Sequence, residues 1–277
     1  MATPAKQMSM PITALRNLVR LSDPHITTML HDAPGPLIGL ADGDEPVTLS
    51  AEPENVLVAT GPGGGTTTVL RTLAAQALAR GAAVDVLDPT GTAHPWTKKL
   101  PGAATYSRIS HIHDYLLQTA QSLTSAPRGA RGWAGRRVIV LESCDQVVYA
   151  LRQFWGHTRP DSQLEDSPAI EALARMMVAG PSRNLQVLAD SPRGTVPALH
   201  DLPADEVFPL RISAYSSASV WARMAPDIWP APRYSLTPGR MHAVADRQVT
   251  ALQALFLTPG EARALARGLT CAKENRP

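Results

Sequence analysis

Apolar residues fall along this chain in two alternating rhythms. Short, nearly unbroken apolar runs occur at 55–60 (NVLVAT), 83–87, 138–141 and 185–189. Runs of that length without polar alternation are expected of strands buried on both faces. Between them lie longer stretches of helical period. Residues 67–80 place Leu70, Leu73, Ala74, Ala77 and Leu78 on one face, and Gly81 closes the stretch as a C-cap. Ser110 caps a second helix running to about Leu123, and further helices are expected near 146–155 and over 168–179. Strands alternating with helices predict an α/β fold with a mostly parallel central sheet and helices on both faces. Toward the C-terminus, 207–214, 241–245 and 249–256 read as strands. Thr258 and Glu261 form a capping box that opens a last helix. Toward the N-terminus, 47–49 reads as a strand, and Pro34, Gly35 and Pro36 mark a break. Before it, Ile12, Leu15, Leu18, Val19 and Leu21 predict a short helix after Pro11. That helix is expected to pack on the domain, since an interfacial anchor wants a longer apolar face with aromatic residues. The chain thus divides into an N-terminal extension, 1–36, and one domain, 37–277.

Composition changes this picture little. The 277 residues are 44% hydrophobic and 18% charged, an ordinary globular balance. No apolar stretch reaches 18 residues, and the opening MATPAKQMSMP has no secretory core. Cys144 and Cys271 make neither a disulfide framework nor a metal cluster. These features predict a cytoplasmic chain with no stable membrane insertion. The net charge of +2 does not by itself argue for nucleic acid. Lysine occurs only at 6, 98, 99 and 273, and the arginine excess beside so much Ala and Pro fits a GC-rich codon bias. A loop at 126–137 gathers Arg128, Arg131, Arg136 and Arg137 around Trp133. It reads either as a phosphate-backbone contact or as a solvated insertion. His94, His111 and His113 are not at metal spacing with a cysteine, and no G-x-S-x-G elbow is present.

The chemistry sits after the first buried strand. Gly61, Gly63, Gly64 and Gly65 lead directly into a helix. Glycines let backbone N–H groups converge on phosphate oxygens, and the helix N-terminus adds partial positive charge. Against the P-loop pattern G-x-x-x-x-G-K-[ST], Gly65 takes the last glycine, Thr66 the lysine, and Thr67 the magnesium hydroxyl, with Thr68 next and Thr60 in the first glycine's slot. The nucleotide-binding set is therefore Gly61, Gly63, Gly64, Gly65, Thr66, Thr67 and Thr68. A lysine there contributes about 1.5–3 kcal/mol of charge-assisted bonding. Losing such a donor lowers the rate of phosphoryl transfer by roughly 10²–10³. The alternative reading of these glycines is a tight turn with no ligand. The strand 138–141 is followed by Glu142 and Ser143. One registration makes Glu142 the magnesium-side acid and leaves Ser143 at the catalytic base. The other leaves Leu141 at the first acid and makes Glu142 the base. A single acid capping a buried strand is a third possibility. Asp88 is expected to end a strand beside the P-loop strand, where ligands bind in such sheets, with its loop or a ring contact as the alternatives it would serve.

The order of landmarks carries a resemblance. LVATGPGGGTTTVLRTLAAQALARGAAVDVLDP resembles the P-loop, helix and next strand of FtsK/SpoIIIE-type DNA translocases, above all the stand-alone FtsK-like domains of actinobacterial mobile elements and phages. Asp88-Pro89, His94, Trp96 and Leu100-Pro101-Gly102 follow in the family's order, and Phe154-Trp155 matches its aromatic-Trp pair. Phe208-Pro209-Leu210-Arg211-Ile212 is similar to its arginine-bearing strand, and GRMHAVAD with QALFLTPGEARALA to its last hairpin and helix. The resemblance spans roughly 37–267. It implies a RecA-like P-loop NTPase fold, ATP and Mg2+ as ligands, double-stranded DNA as partner, and a hexameric ring or a hetero-assembly with an active family member. It implies catalytic roles for Glu142 and Arg211, and metal contact through Thr67 and Glu142. Arg211 would reach a neighbour's nucleotide or serve its own strand. Three positions depart from the pattern: Thr66, the segment Leu141-Glu142-Ser143, and Asp190, where the family carries a γ-phosphate-sensing glutamine. The departures lead to a translocase-type domain with weak or absent ATPase, or to a pseudo-ATPase serving assembly. A third reading is an NTPase given its cation by Lys98, Lys99 or an arginine in trans.

Overall fold

The computed structural model describes residues 15–125, 135–159, 166–199, 202–233 and 235–268. The chain enters through β1 (Val19–Arg20), α1 (Pro24–Asp32), β2 (Leu37–Leu40) and β3 (Pro46–Thr48). The next elements are β4 (Val56–Thr60), α2 (Thr66–Ala79), β5 (Ala83–Leu87), β6 (Ala103–Tyr106), α3 (Ile109–Ser125), β7 (Arg137–Leu141), α4 (Cys144–Thr158), α5 (Pro168–Ala179) and β8 (Leu185–Asp190). It closes with α6 (Ala204–Val207), β9 (Leu210–Ala214), α7 (Ala218–Met224), β10 (Arg240–Ala245), β11 (Gln248–Phe256) and α8 (Pro259–Ala266).

The described strands form one 11-stranded sheet in the order β3-β2-β11-β10-β9-β4-β8-β7-β5-β6, with β1 paired to β11. From β9 to β6 every pairing is parallel, and β10 turns the sheet antiparallel. The unbroken apolar runs behave as their pattern predicts: β4 and β8 are buried along their whole length. Alternate residues of β4 feed opposite cores. Val56 and Val58 join Leu70 and Leu73 of α2, while Leu57 and Ala59 join Leu116 of α3 and Leu173 of α5. This two-sided burial sets the register of β4 and fixes the direction in which its following loop leaves the sheet.

The expected helix at 10–21 is corrected by the structure. Residues 10–14 lie outside the described residues, and 15–21 contain β1 instead of a helix. Val19 pairs with Leu255, and Arg20 with Phe256. Val19 and Leu21 are buried in the same core as β11, so a period of two prevails over the helical spacing. The Arg20 guanidinium lies over the Phe256 ring, 5.5 Å from its centroid. The Thr258 capping box is present in both directions, with Glu261 N–H donating to Thr258 Oγ1 at 3.1 Å and Thr258 N–H to Glu261 Oε2 at 2.7 Å. Most of the 126–137 loop, including Arg128, Arg131 and Trp133, lies outside the described residues. No described helix is long and apolar enough to cross a membrane.

Candidate phosphate site

The loop after β4 sits at the carboxyl end of the parallel strands, where α/β sheets bind ligands. Its glycines answer to close neighbours. A Cβ on Gly61 would stand 2.6 Å from Tyr215 O, and one on Gly64 would stand 2.5 Å from Thr60 Cβ. Gly63 and Gly65 take φ of 75° and 93°, the left-handed region that suits glycine. Gly65 is the N-cap of α2 and brings no capping side chain. The first-turn N–H groups of α2 therefore have no intrahelical acceptor, as an anion site requires.

The three threonines at the helix start face different partners. Thr66, in the lysine slot, pairs its hydroxyl with that of Thr60 at 2.5 Å. The slots of the absent lysine and the absent first glycine thus close on each other. Thr67 donates to Glu142 Oε1. The other carboxylate oxygen, Oε2, lies 2.8 Å from His94 Nε2. Thr68 Oγ1 accepts from Arg71 Nη2 at 3.2 Å. Glu142 is 6% exposed, and no arginine or lysine pairs with it directly among the described residues. A buried carboxylate beside a hydroxyl, held by neutral donors, fits a divalent cation that also binds phosphate. No described group of three His, Cys, Asp or Glu residues would hold a metal without such help.

The loop after β5 brings His94 to the site. Asp88 Oδ1 accepts from Thr90 N–H at 2.9 Å and from Thr90 Oγ1 at 2.6 Å, and Oδ2 accepts from Ala93 N–H at 2.8 Å. Burial works against the Asp88 charge, but these donors outweigh it and hold the carboxyl below its ordinary value. Asp88 therefore holds its loop. The expected neighbourhood of its strand is corrected, since β7 and β8 stand between β5 and β4.

Asp190, expected at the sensor position, is the last residue of β8. Its Oδ1 accepts from Cys144 N–H at 3.2 Å. Burial, then the nearby charge of Glu142, push its carboxyl up to about 7, opposed by the N–H groups of Cys144 and Ser143. Asp190 thus braces the turn between β7 and α4, where Ser143 holds the left-handed φ of 56°.

Arg211 is not brought to this cluster. It pairs in register with Leu57 and shares that residue's face of the sheet, opposite α2. Its guanidinium donates to Met224 O at 2.5 Å and Phe208 O at 2.8 Å. Lys98 and Lys99 are exposed. Two site residues escaped the sequence reading: His94 as a partner of Glu142, and Arg71. The Arg71 side chain runs back along α2, donating through Nε to Leu257 O at 3.0 Å. Burial lowers its affinity for its proton, opposed by the charges of Glu142 and Glu261. An arginine on an otherwise apolar helix face is the signal that marks it. Outside the loop, a cleft of about 300 Å³ is lined by Gly63, Gly64, Gly65 and Thr68 together with Met241 and Phe256.

No protein-family model and no curated protein matches the chain. Solved structures do. The pCW3 conjugation coupling protein TcpA, with ATPγS, superposes at a TM-score of 0.68 with 12% identity, covering 91% of this chain and 75% of that one. The cytoplasmic domain of the type VII secretion ATPase EccC of Thermomonospora curvata gives 0.63 and 14%, covering 88% of this chain and 28% of that one. The cytoplasmic domain of EssC gives 0.59 and 15%, covering 88% and 47%. The chain shares the RecA-like fold of these proteins, a mostly parallel sheet with helices on both faces, as the alternation of its strands and helices implied.

Proposed function

We propose that this chain is a translocase-type P-loop domain that binds magnesium and ATP weakly and hydrolyses ATP slowly or not at all. The carrying observation is the contrast between two adjacent threonines. Thr67 meets Glu142 as a magnesium-side pair, while Thr66 turns to Thr60 and offers the phosphates no cation. In this reading the N–H groups of Gly65, Thr66 and Thr67 cradle phosphate, and the Thr67 hydroxyl and Glu142 hold the metal with Thr68 alongside. The base would lie over the cleft bounded by Met241 and Phe256. Bound magnesium would neutralise phosphate charge.

The contact of Glu142 with Thr67 favours its metal-side registration. Ser143 then stands where a base would act, and a serine hydroxyl is no base for water at neutral pH. Asp190, a neighbouring carboxyl, is engaged with main-chain N–H groups. The prediction is a Thr66→Lys variant that binds ATP at least ~10-fold more tightly, the equivalent of one charge-assisted bond. Calorimetry checks it, and an unchanged affinity counts against the site.

The finer reading is work on double-stranded DNA in a hexameric ring or a mixed ring with an active relative. It rests on the motif order and on the fold shared with a conjugation coupling protein. A salt titration of duplex binding tests it: affinity should fall steeply with salt. No binding at low salt favours the pseudo-ATPase reading, in which the domain serves assembly alone.

A further inference from the structure

We propose that His94 is a positioning residue for Glu142, setting the carboxylate for a divalent cation by donating a neutral hydrogen bond from Nε2. The inference rests on the reading of Thr67 and Glu142 as the metal side of a nucleotide site.

The proton's place on the ring follows from its neighbours. Trp96 Nε1 lies 3.1 Å from His94 Nδ1. An indole N–H only donates, so Nδ1 is the acceptor and Nε2 carries the hydrogen of the neutral ring. That hydrogen faces Glu142 Oε2 at 2.8 Å, leaving Oε1 toward Thr67. The histidine side chain is 0% exposed and the glutamate side chain 7%, so water does not replace this bond readily. The backbone of the same loop is fixed from three sides. Asp88 grips Thr90 and Ala93, His94 O accepts from Thr97 Oγ1 at 2.8 Å, and Thr97 Oγ1 meets Thr105 Oγ1 of β6 at 2.8 Å. Such a frame does more than fill space, because it delivers one donor atom to one carboxylate oxygen. An arginine or lysine in this place would neutralise Glu142 and compete with a cation. A neutral imidazole orients the carboxylate and leaves its charge for the metal, as outer partners of metal ligands do.

The test is calorimetric ATP binding by the whole chain, with and without Mg2+, for the wild type, His94→Leu, His94→Gln and Trp96→Phe. His94→Leu should raise the Mg2+ concentration for half-maximal enhancement by about 10-fold or more, the usual effect of removing such a partner. Binding in EDTA should stay unchanged. His94→Gln, whose amide nitrogen restores a donor, should stay within about 3-fold of wild type, and Trp96→Phe should fall between the two. Unchanged metal dependence in His94→Leu overturns the proposal, as does equal loss of binding with and without metal. If His94→Leu does not fold, Trp96→Phe decides by the same split. Failure of the underlying reading looks different: wild-type binding would itself ignore Mg2+.

Discussion

At the scale of single residues, the positions that depart from the P-loop pattern fit one another. Thr66 finds Thr60, which fills the slot a glycine leaves open in the P-loop pattern, and Gly64 must lack a Cβ because Thr60 stands 2.5 Å from where it would be. Restoring the lysine while Thr60 stays therefore recovers only part of the contact. The double variant Thr60→Gly, Thr66→Lys should bind Mg-ATP more tightly than Thr66→Lys alone; equal affinities would show that Thr60 does not restrict the slot. Asp190 gives a second residue-scale prediction. Its carboxyl is raised from an ordinary 3.8 to about 7, so the folded state holds its proton more firmly than the unfolded chain. That contribution to stability is full below the ordinary value and is lost as pH rises through about 7. Asp190→Asn keeps an acceptor for Cys144 N–H and removes the titration. Thermal melts should show the variant gaining on wild type between pH 4 and pH 8, and parallel curves would contradict the buried protonated carboxyl.

At the scale of elements, legibility followed burial. The central strands announced themselves because both faces are buried and most positions are apolar, as in β4 and β8. The helix after Gly65 was readable from its apolar face, and α8 from Thr258 and Glu261, whose mutual bonds are local. β1 was not readable, because what makes Val19 a strand residue is Leu255 at the other end of the chain. α1 had a local signal that went unread: Asp23 caps it through His25 N–H, with Pro24 at the first position. Motif spacing singled out Thr66, Thr67 and Glu142, and the fold brings Thr67 to Glu142. The pairing of His94 with Glu142 was not legible, since two loops on neighbouring strands, β5 and β7, bring them together. Arg211 was named from its strand, but its setting of main-chain carbonyls needs α7, which ends at Met224. Arg211→Met should cost about 2–4 kcal/mol in denaturant unfolding by stranding buried carbonyls, with Mg-ATP affinity unmoved in the folded protein. A selective loss of nucleotide-dependent assembly at full stability would instead place Arg211 at a neighbour's site.

At the scale of the whole molecule, the fold is shared with ATPases of known structure, while Thr66 stands where the P-loop pattern has lysine. The helices α2 and α8 on one face and α3, α4 and α5 on the other bury two cores against β4, and neither core depends on Thr66, Ser143 or Asp190 being altered. The first segment belongs to this framework energetically. Val19, Leu21 and Ile26 are buried with β11 and α2, each side chain representing roughly 1.5–3 kcal/mol of burial. Deleting residues 1–36 should therefore lower the unfolding midpoint markedly instead of releasing an independent domain. The central claim concerns what the preserved frame still does with nucleotide. Its most direct test is calorimetry of wild-type protein with Mg-ATP, coupled to phosphate release on the same sample. Binding weaker than about micromolar, with turnover well below ~1 s⁻¹, is the expected result. Tight binding with turnover at or above ~1 s⁻¹ would contradict it, and would mean that some other cation does the work of the missing lysine.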